Sequence, residues 1–141
     1  MMKYLCMFMF LFHFGFGQSV EGYWKTINEN GEEKSIVYIY TTADGTLEGT
    51  IQDIANPDHR DIRCVKCKGD KKDKLFIGLK IIENMKLDKK QWADGTITDP
   101  NTGKVYDCKI WLDKNNPNIL NVRGYVGFFF KTQYWQRAEK T

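Results

Sequence analysis

The sequence predicts an all-β protein: an antiparallel up-and-down meander of eight strands that closes into a barrel. Three observations predict it. Apolar residues recur on alternate positions, turn signals separate the alternating runs, and no window of a dozen residues carries a helical stripe. Eight consecutive strands leave two exposed edges unless the first pairs with the last. Eight are also about enough to close a barrel whose inside holds side chains or one small ligand.

Residues 1–17 stand apart from this pattern. Lys3 gives a basic start, and 4–16 is apolar except for His13, Gly15 and the thiol of Cys6. Gly15 and Gly17 put small residues three and one before a cut between Gly17 and Gln18, the pattern of a secretory signal peptide. The run is shorter than the about 20 apolar residues of a spanning helix, so a retained anchor is only the alternative. Cys6 lies inside the run and not at its end, which argues against a lipoprotein. The expected product is one exported domain, 18–141, periplasmic or secreted, with no transmembrane anchor. Five of the nine Phe and four of the five Met leave with the signal. The core must then come from Ile, Val, Leu, Tyr and Trp, mostly strand formers.

Candidate strands run over 22–27, 35–41, 46–54, 75–85, 91–98, 104–112, 119–126 and 131–137. Short turns join most of them: Asn30-Gly31, Asp44-Gly45, the corner Asp99-Pro100-Asn101-Thr102-Gly103, and Asn115-Asn116-Pro117-Asn118. In 104–112, Tyr106, Cys108, Ile110 and Leu112 share one side, expected to be the inner one; Asp107, Lys109 and Trp111 share the other.

One connection, 55–74, is long, polar and charged. Between Asp58 and Lys74 seven basic residues oppose four acidic ones. A solvated loop is the plain reading, and a basic lip facing anionic ligands or lipid headgroups the sharper one. Over the whole chain 21 Lys and Arg oppose 18 Asp and Glu, a balance too even for strong electrostatic binding of nucleic acid.

The two chain ends carry a pattern. Gly22-Tyr23-Trp24 opens the first strand and Trp135-Gln136-Arg137 closes the last. This resembles the calycin arrangement of lipocalins and fatty-acid-binding proteins, which implies that Trp24 closes the barrel floor and Arg137 packs across it. A longer series covers nearly all of 18–141: G-Y-W-K-T, G-T-I-Q-D, C-V-K-C-K-G-D-K-K-D, I-G-L-K-I, G-T-I-T-D-P-N-T-G-K-V-Y-D-C, V-R-G-Y-V-G and T-Q-Y-W-Q-R. In order and spacing it resembles the domain-of-unknown-function 2147 family of exported bacterial proteins. Asp99, Pro100, Gly103, Lys104 and Tyr106, with Arg123-Gly124-Tyr125, match that family's most recognisable segments; the resemblance implies no activity. Where many relatives carry Gly-Arg-Thr, this chain has Phe130-Lys131-Thr132. Lys cannot reproduce the bidentate fork of Arg.

Beyond the signal the cysteines are Cys64, Cys67 and Cys108, an odd number for an oxidising compartment. A bond from Cys64 or Cys67 to Cys108 would staple the long loop to the barrel. It would close about 40 residues and stabilise by about 3–4 kcal/mol in the chain-entropy model. A Cys64–Cys67 bond is the alternative, and the three thiols with His59 could also make an S₃N zinc site, although a second Cys-x-x-Cys is missing. No catalytic constellation stands out: His59 is the single histidine after residue 17, and neither a Gly-x-Ser-x-Gly elbow nor a phosphate-cradling loop is present. Asp94 and Asp99 read as turn residues. The expectation is a binding protein without catalysis, cofactor or metal. Tyr38, Tyr40, Trp92, Tyr106 and Tyr125 are the candidate lining for a small, partly apolar ligand. The alternative is a surface module that meets a protein or membrane through the basic loop and Phe128–Phe130. Oligomeric state is left open.

Overall fold

The structure, a computed structural model, describes residues 19–139. The predicted signal segment therefore lies outside the described residues. Eight strands follow in sequence order around one closed antiparallel barrel: β1 (Gly22–Ile27), β2 (Glu33–Thr41), β3 (Leu47–Ile54), β4 (Lys80–Asp88), β5 (Gln91–Thr98), β6 (Val105–Leu112), β7 (Ile119–Val126) and β8 (Phe129–Ala138). The first and last strands do pair, as the edge argument requires.

That closure is short. β1 meets β8 only at Tyr23↔Ala138, Trp24↔Arg137 and Lys25↔Gln136, whereas β7 pairs with β8 along its whole length, from Ile119↔Gln136 to Val126↔Phe129. The far half of β8 thus swings away from β1. Lys131 and Gln133 lie there on the same strand face as Trp135 and yet are exposed. Across the resulting gap the Lys131 ammonium pairs with the Glu29 carboxylate of the β1–β2 turn. That contact holds the Glu29 carboxyl below its usual pKa.

Strand parity fills the lumen. Trp24, Val37, Ile39, Leu47, Ile82, Met85, Ile110 and Leu120 are all fully buried, and Trp135 nearly so. Cys108 sits between two glycines, opposite Gly95 on β5 and Gly124 on β7. A Cβ on Gly95 would lie 2.4 Å from Glu83 O and 2.5 Å from Met85 Sδ, so the missing side chain lets the β4 backbone and Met85 approach. The barrel is packed like a core and is not a hollow cup.

One predicted strand begins elsewhere. The alternating apolar run from Leu75 suggested a strand over 75–85, but β4 starts at Lys80. The amide of Phe76 donates to Ile62 O, that of Gly78 to Ile51 O, and that of Leu79 to Phe76 O. The chain turns here instead of running in a ladder, and the turn drives Phe76 and Leu79 inward. The long connection also contains two 3-10 turns, Pro57–His59 and Gly69–Lys71. Its buried Cys64, Cys67, Phe76 and Leu79 belong to the same apolar cluster as the barrel interior. What the sequence suggested as a solvated loop is therefore a plug over the mouth, with its charged residues outward.

Candidate functional site

At the floor, Trp24 Nε1 donates to Val20 O at 2.8 Å, drawing the segment before β1 under the barrel. The Arg137 guanidinium lies 4.3 Å above the Trp24 ring, a cation–π contact. Its terminal nitrogens donate to the carbonyls of Ser19, Glu21 and Pro117, at 2.9, 3.3 and 3.1 Å. One cation thus ties together the N-terminal segment, the β6–β7 loop and β8. Burial lowers the Arg137 pKa from its ordinary value, and Arg stays charged at neutral pH. This end is sealed.

At the mouth, the cysteine pairing differs from the favoured expectation. Cys64 bonds to Cys67, and Cys108 is a buried thiol. The loop is not stapled covalently to the barrel, because Cys108 lies deep between Gly95 and Gly124 while the other two pair locally across a tight turn. A zinc site on Cys64, Cys67, Cys108 and His59 is excluded by the same bond, which consumes two of its thiolates. Among the described residues no cluster of three or more His, Cys, Asp or Glu is placed to hold a metal ion.

Docking through the backbone replaces the staple. The corner Asp99–Gly103 closes with Gly103 N donating to Asp99 O at 2.7 Å, and Asp99 Oδ1 accepts from Asn101 N. Gly103 has φ +74, and a Cβ there would sit 2.0 Å from Lys66 O. Glycine is required twice over, for the left-handed backbone and for the contact with the disulfide turn. Pro100 O lies 3.2 Å from Cys64 Sγ on the same interface.

Burial pushes the Cys108 thiol from its ordinary 9.0 up to about 12. A folded pKa raised above the unfolded one gives stability that is complete below the unfolded value and lost as pH climbs towards the folded one. The wild-type protein should therefore lose about 1.4 kcal/mol per pH unit across that window, beyond whatever other groups contribute. In Cys108→Ala this component should vanish, as read by urea unfolding at a series of alkaline pH values. Parallel pH dependences for the two proteins would contradict the assignment.

The five candidate lining residues do not form one lining. Tyr38 and Tyr40 alternate with fully buried Val37 and Ile39, so they stand on the outer wall. There Tyr23, Tyr38 and Tyr40 stack in a row, with centroids 4.7 and 5.3 Å apart, and Tyr40 Oη donates to Glu48 Oε2. Trp92 packs half-buried against the interior near the floor, opposite Ile110 and Leu87. Only Tyr106 and Tyr125 border a common hollow, at the rim, from opposite faces of the sheet: Tyr106 lies on the Cys108 face, whereas Tyr125 is opposite Asp107 and its ring lies near Phe130. The expected outward Trp111 carries Arg123 at 4.9 Å, and the same guanidinium lies 4.3 Å from the Phe130 ring. Phe128–Phe130 are all exposed.

Two open hollows among the described residues lie outside the lumen. One, of about 510 Å³, runs along the outer wall between Lys25, Ile36, Asp53 and Arg137. Asp53 pairs with Arg60 and Arg137 with three carbonyls, while Lys25, Glu33 and Glu139 bring charges of both signs to its lining. The other, of about 740 Å³, opens at the mouth, where Lys66 and Lys68 of the plug face Gly103, Lys104, Val105, Tyr106, Asp107, Tyr125 and Val126. None of its three lysines makes a salt bridge among the described residues. Val105 and Val126 are 60% and 57% exposed and stand beside three lysines and one carboxylate, Asp107, so cations outnumber anions in the lining. The basic run around Lys66 and Lys68 is visible in the sequence, but only the fold brings Lys104 and the two tyrosines to it.

A family model described as "Uncharacterized protein conserved in bacteria (DUF2147)" matches residues 22–137. The chain is similar in fold to a solved structure described as protein HP1028 from the human pathogen Helicobacter pylori, said to belong to the lipocalin family. The TM-score is 0.72 at 15% sequence identity, over 86% of this chain and 84% of that one. At that identity the likeness shows the fold alone. No curated protein matches the sequence.

Proposed function

This chain belongs to the DUF2147 family, and we propose that it is an exported binding protein that holds a small, partly apolar anion at the barrel mouth without transforming it. The observation that carries this reading is the rim hollow, where Lys66, Lys68 and Lys104 surround Tyr106, Tyr125 and the exposed valines. An apolar tail has Tyr and Val surface to cover, and a carboxylate or phosphate has three ammonium groups that make no salt bridge, against the single Asp107 carboxylate in the lining. The filled lumen leaves the mouth, where the sequence reading also sets the ligand, as the place for such a site. Absence of catalysis agrees with an exposed His59 in a surface turn and a Cys108 thiol held protonated by burial.

Dodecanoate should raise the melting temperature, and dodecanol, with the same tail and no charge, should raise it less. Lys66→Ala/Lys68→Ala should weaken dodecanoate binding by about three- to tenfold, since exposed ion pairs contribute about 0.2–1 kcal/mol each. Tyr38→Phe, on the outer wall, should leave it unchanged. Binding that ignores the two lysines, or no binding at all, would sink the reading.

A further inference from the structure

Of the four Phe that follow residue 17, one, Phe76, is buried in the plug. The other three are consecutive at the β7–β8 turn, with Phe128, Phe129 and Phe130 at 102%, 80% and 59% exposure. The register explains the projection. Val126 pairs with Phe129, leaving Gly127 and Phe128 as a two-residue hairpin loop, and Gly127 supplies the positive φ of 57 that its first position needs. Phe130 lies against Arg123 and Tyr125, whereas Phe128 and Phe129 take part in no aromatic or cation–π contact among the described residues. Val126 and Val105 extend the apolar surface towards the rim hollow. Single exposed apolar residues need no explanation, but a contiguous cluster marks an interaction surface.

We infer that the β7–β8 hairpin docks on an anionic lipid bilayer, with Phe128 and Phe129 entering the boundary between headgroups and acyl chains while Lys66, Lys68 and Lys104 meet the lipid phosphates. The shape and the charge select this partner. A narrow convex tip needs a matching socket on a protein, whereas a fluid bilayer yields around it. The lysines of the hollow that Val126, at the base of the hairpin, also lines have no salt-bridge partner among the described residues and are complementary to anionic headgroups. Exposed aromatic rings on the same end of a protein as basic side chains are a combination that holds it at a membrane interface without spanning it. Docked this way, the barrel presents its mouth to the lipid. The inference stands on the hairpin and does not require the hollow to hold a free ligand.

The test is co-sedimentation of the purified protein with vesicles of phosphatidylcholine alone or mixed with phosphatidylglycerol. The wild type should partition onto the mixed vesicles, more weakly at high salt, and little onto phosphatidylcholine. Phe128→Ser/Phe129→Ser should lower partitioning at least about tenfold while leaving the melting temperature and dodecanoate binding unchanged. The Lys66→Ala/Lys68→Ala variant should lose the preference for phosphatidylglycerol and keep its residual apolar binding. Failure of the wild type to bind mixed vesicles, or equal binding by the double Phe variant, overturns the inference. A solution dimer abolished by the Phe substitutions, with no vesicle binding, assigns the tip to a second copy and overturns it as well. Vesicle binding without dodecanoate binding upholds the hairpin and removes the ligand reading, so the two are separable.

Discussion

Trp24→Ala is expected to cost about 3–5 kcal/mol of folding stability, read as a drop in the urea midpoint at unchanged slope. The ring is fully buried, its Nε1 holds Val20 O, and Arg137 stacks on its face. Truncation opens a cavity at the floor, frees Val20 and removes the aromatic surface beneath a half-buried cation. The third effect separates this site from an ordinary core position. Arg137 Nε is buried with no hydrogen-bond partner among the described residues, so the guanidinium already carries one unsatisfied donor. Removing its ring adds to a cost already present. Trp111→Ala, on the half-buried outer wall, should cost less than about 1.5 kcal/mol. Equal losses at the two positions would mean that Trp24 does not close the floor.

Gly103→Ala should cost about 2–4 kcal/mol, the sum of a left-handed backbone penalty and a collision that no rotamer can relieve. The colliding atom is Lys66 O, a backbone atom of the disulfide turn, so either the corner or the turn must move. The two are not joined covalently, and the plug should therefore lift. Hydrogen exchange reports this locally. The amides of Cys64 and Asp73, which donate to Lys74 O and Cys64 O, should lose protection more than those of β7. Uniform loss across the barrel would show that the corner and plug unfold only with the whole.

The barrel was legible because parity and turns are local. Alternating side chains set two faces, and each short turn forces antiparallel neighbours, so eight strands in order leave closure as the answer to the edge problem. The misplacements have equally local causes. Leu75–Leu79 is apolar enough for a strand, but Phe76 and Leu79, three apart, share a turn that points both inward. Residue type points to Tyr38 and Tyr40 as lining, whereas their alternation with Val37 and Ile39 puts them on the opposite face. A bulge between Ile36 and Val37, with Ile36 also buried, blurs that alternation at the start of the strand. The cysteine pairing was not legible, since it depends on how deep Cys108 sits relative to a loop that the sequence does not place. The Phe tip was half legible: three consecutive rings cannot all face one way along a strand. Their shared exposure comes from the tight turn at Gly127, which puts the first of them beyond the sheet.

A sealed interior leaves the rim as the place for binding. Backbone amide shifts recorded during a dodecanoate titration test this most directly. Saturable changes are expected at Lys66, Lys68, Lys104, Tyr106 and Tyr125, with Ile39, Ile82 and Leu120 unmoved. Changes concentrated at those three buried positions would place the ligand in the lumen and contradict it.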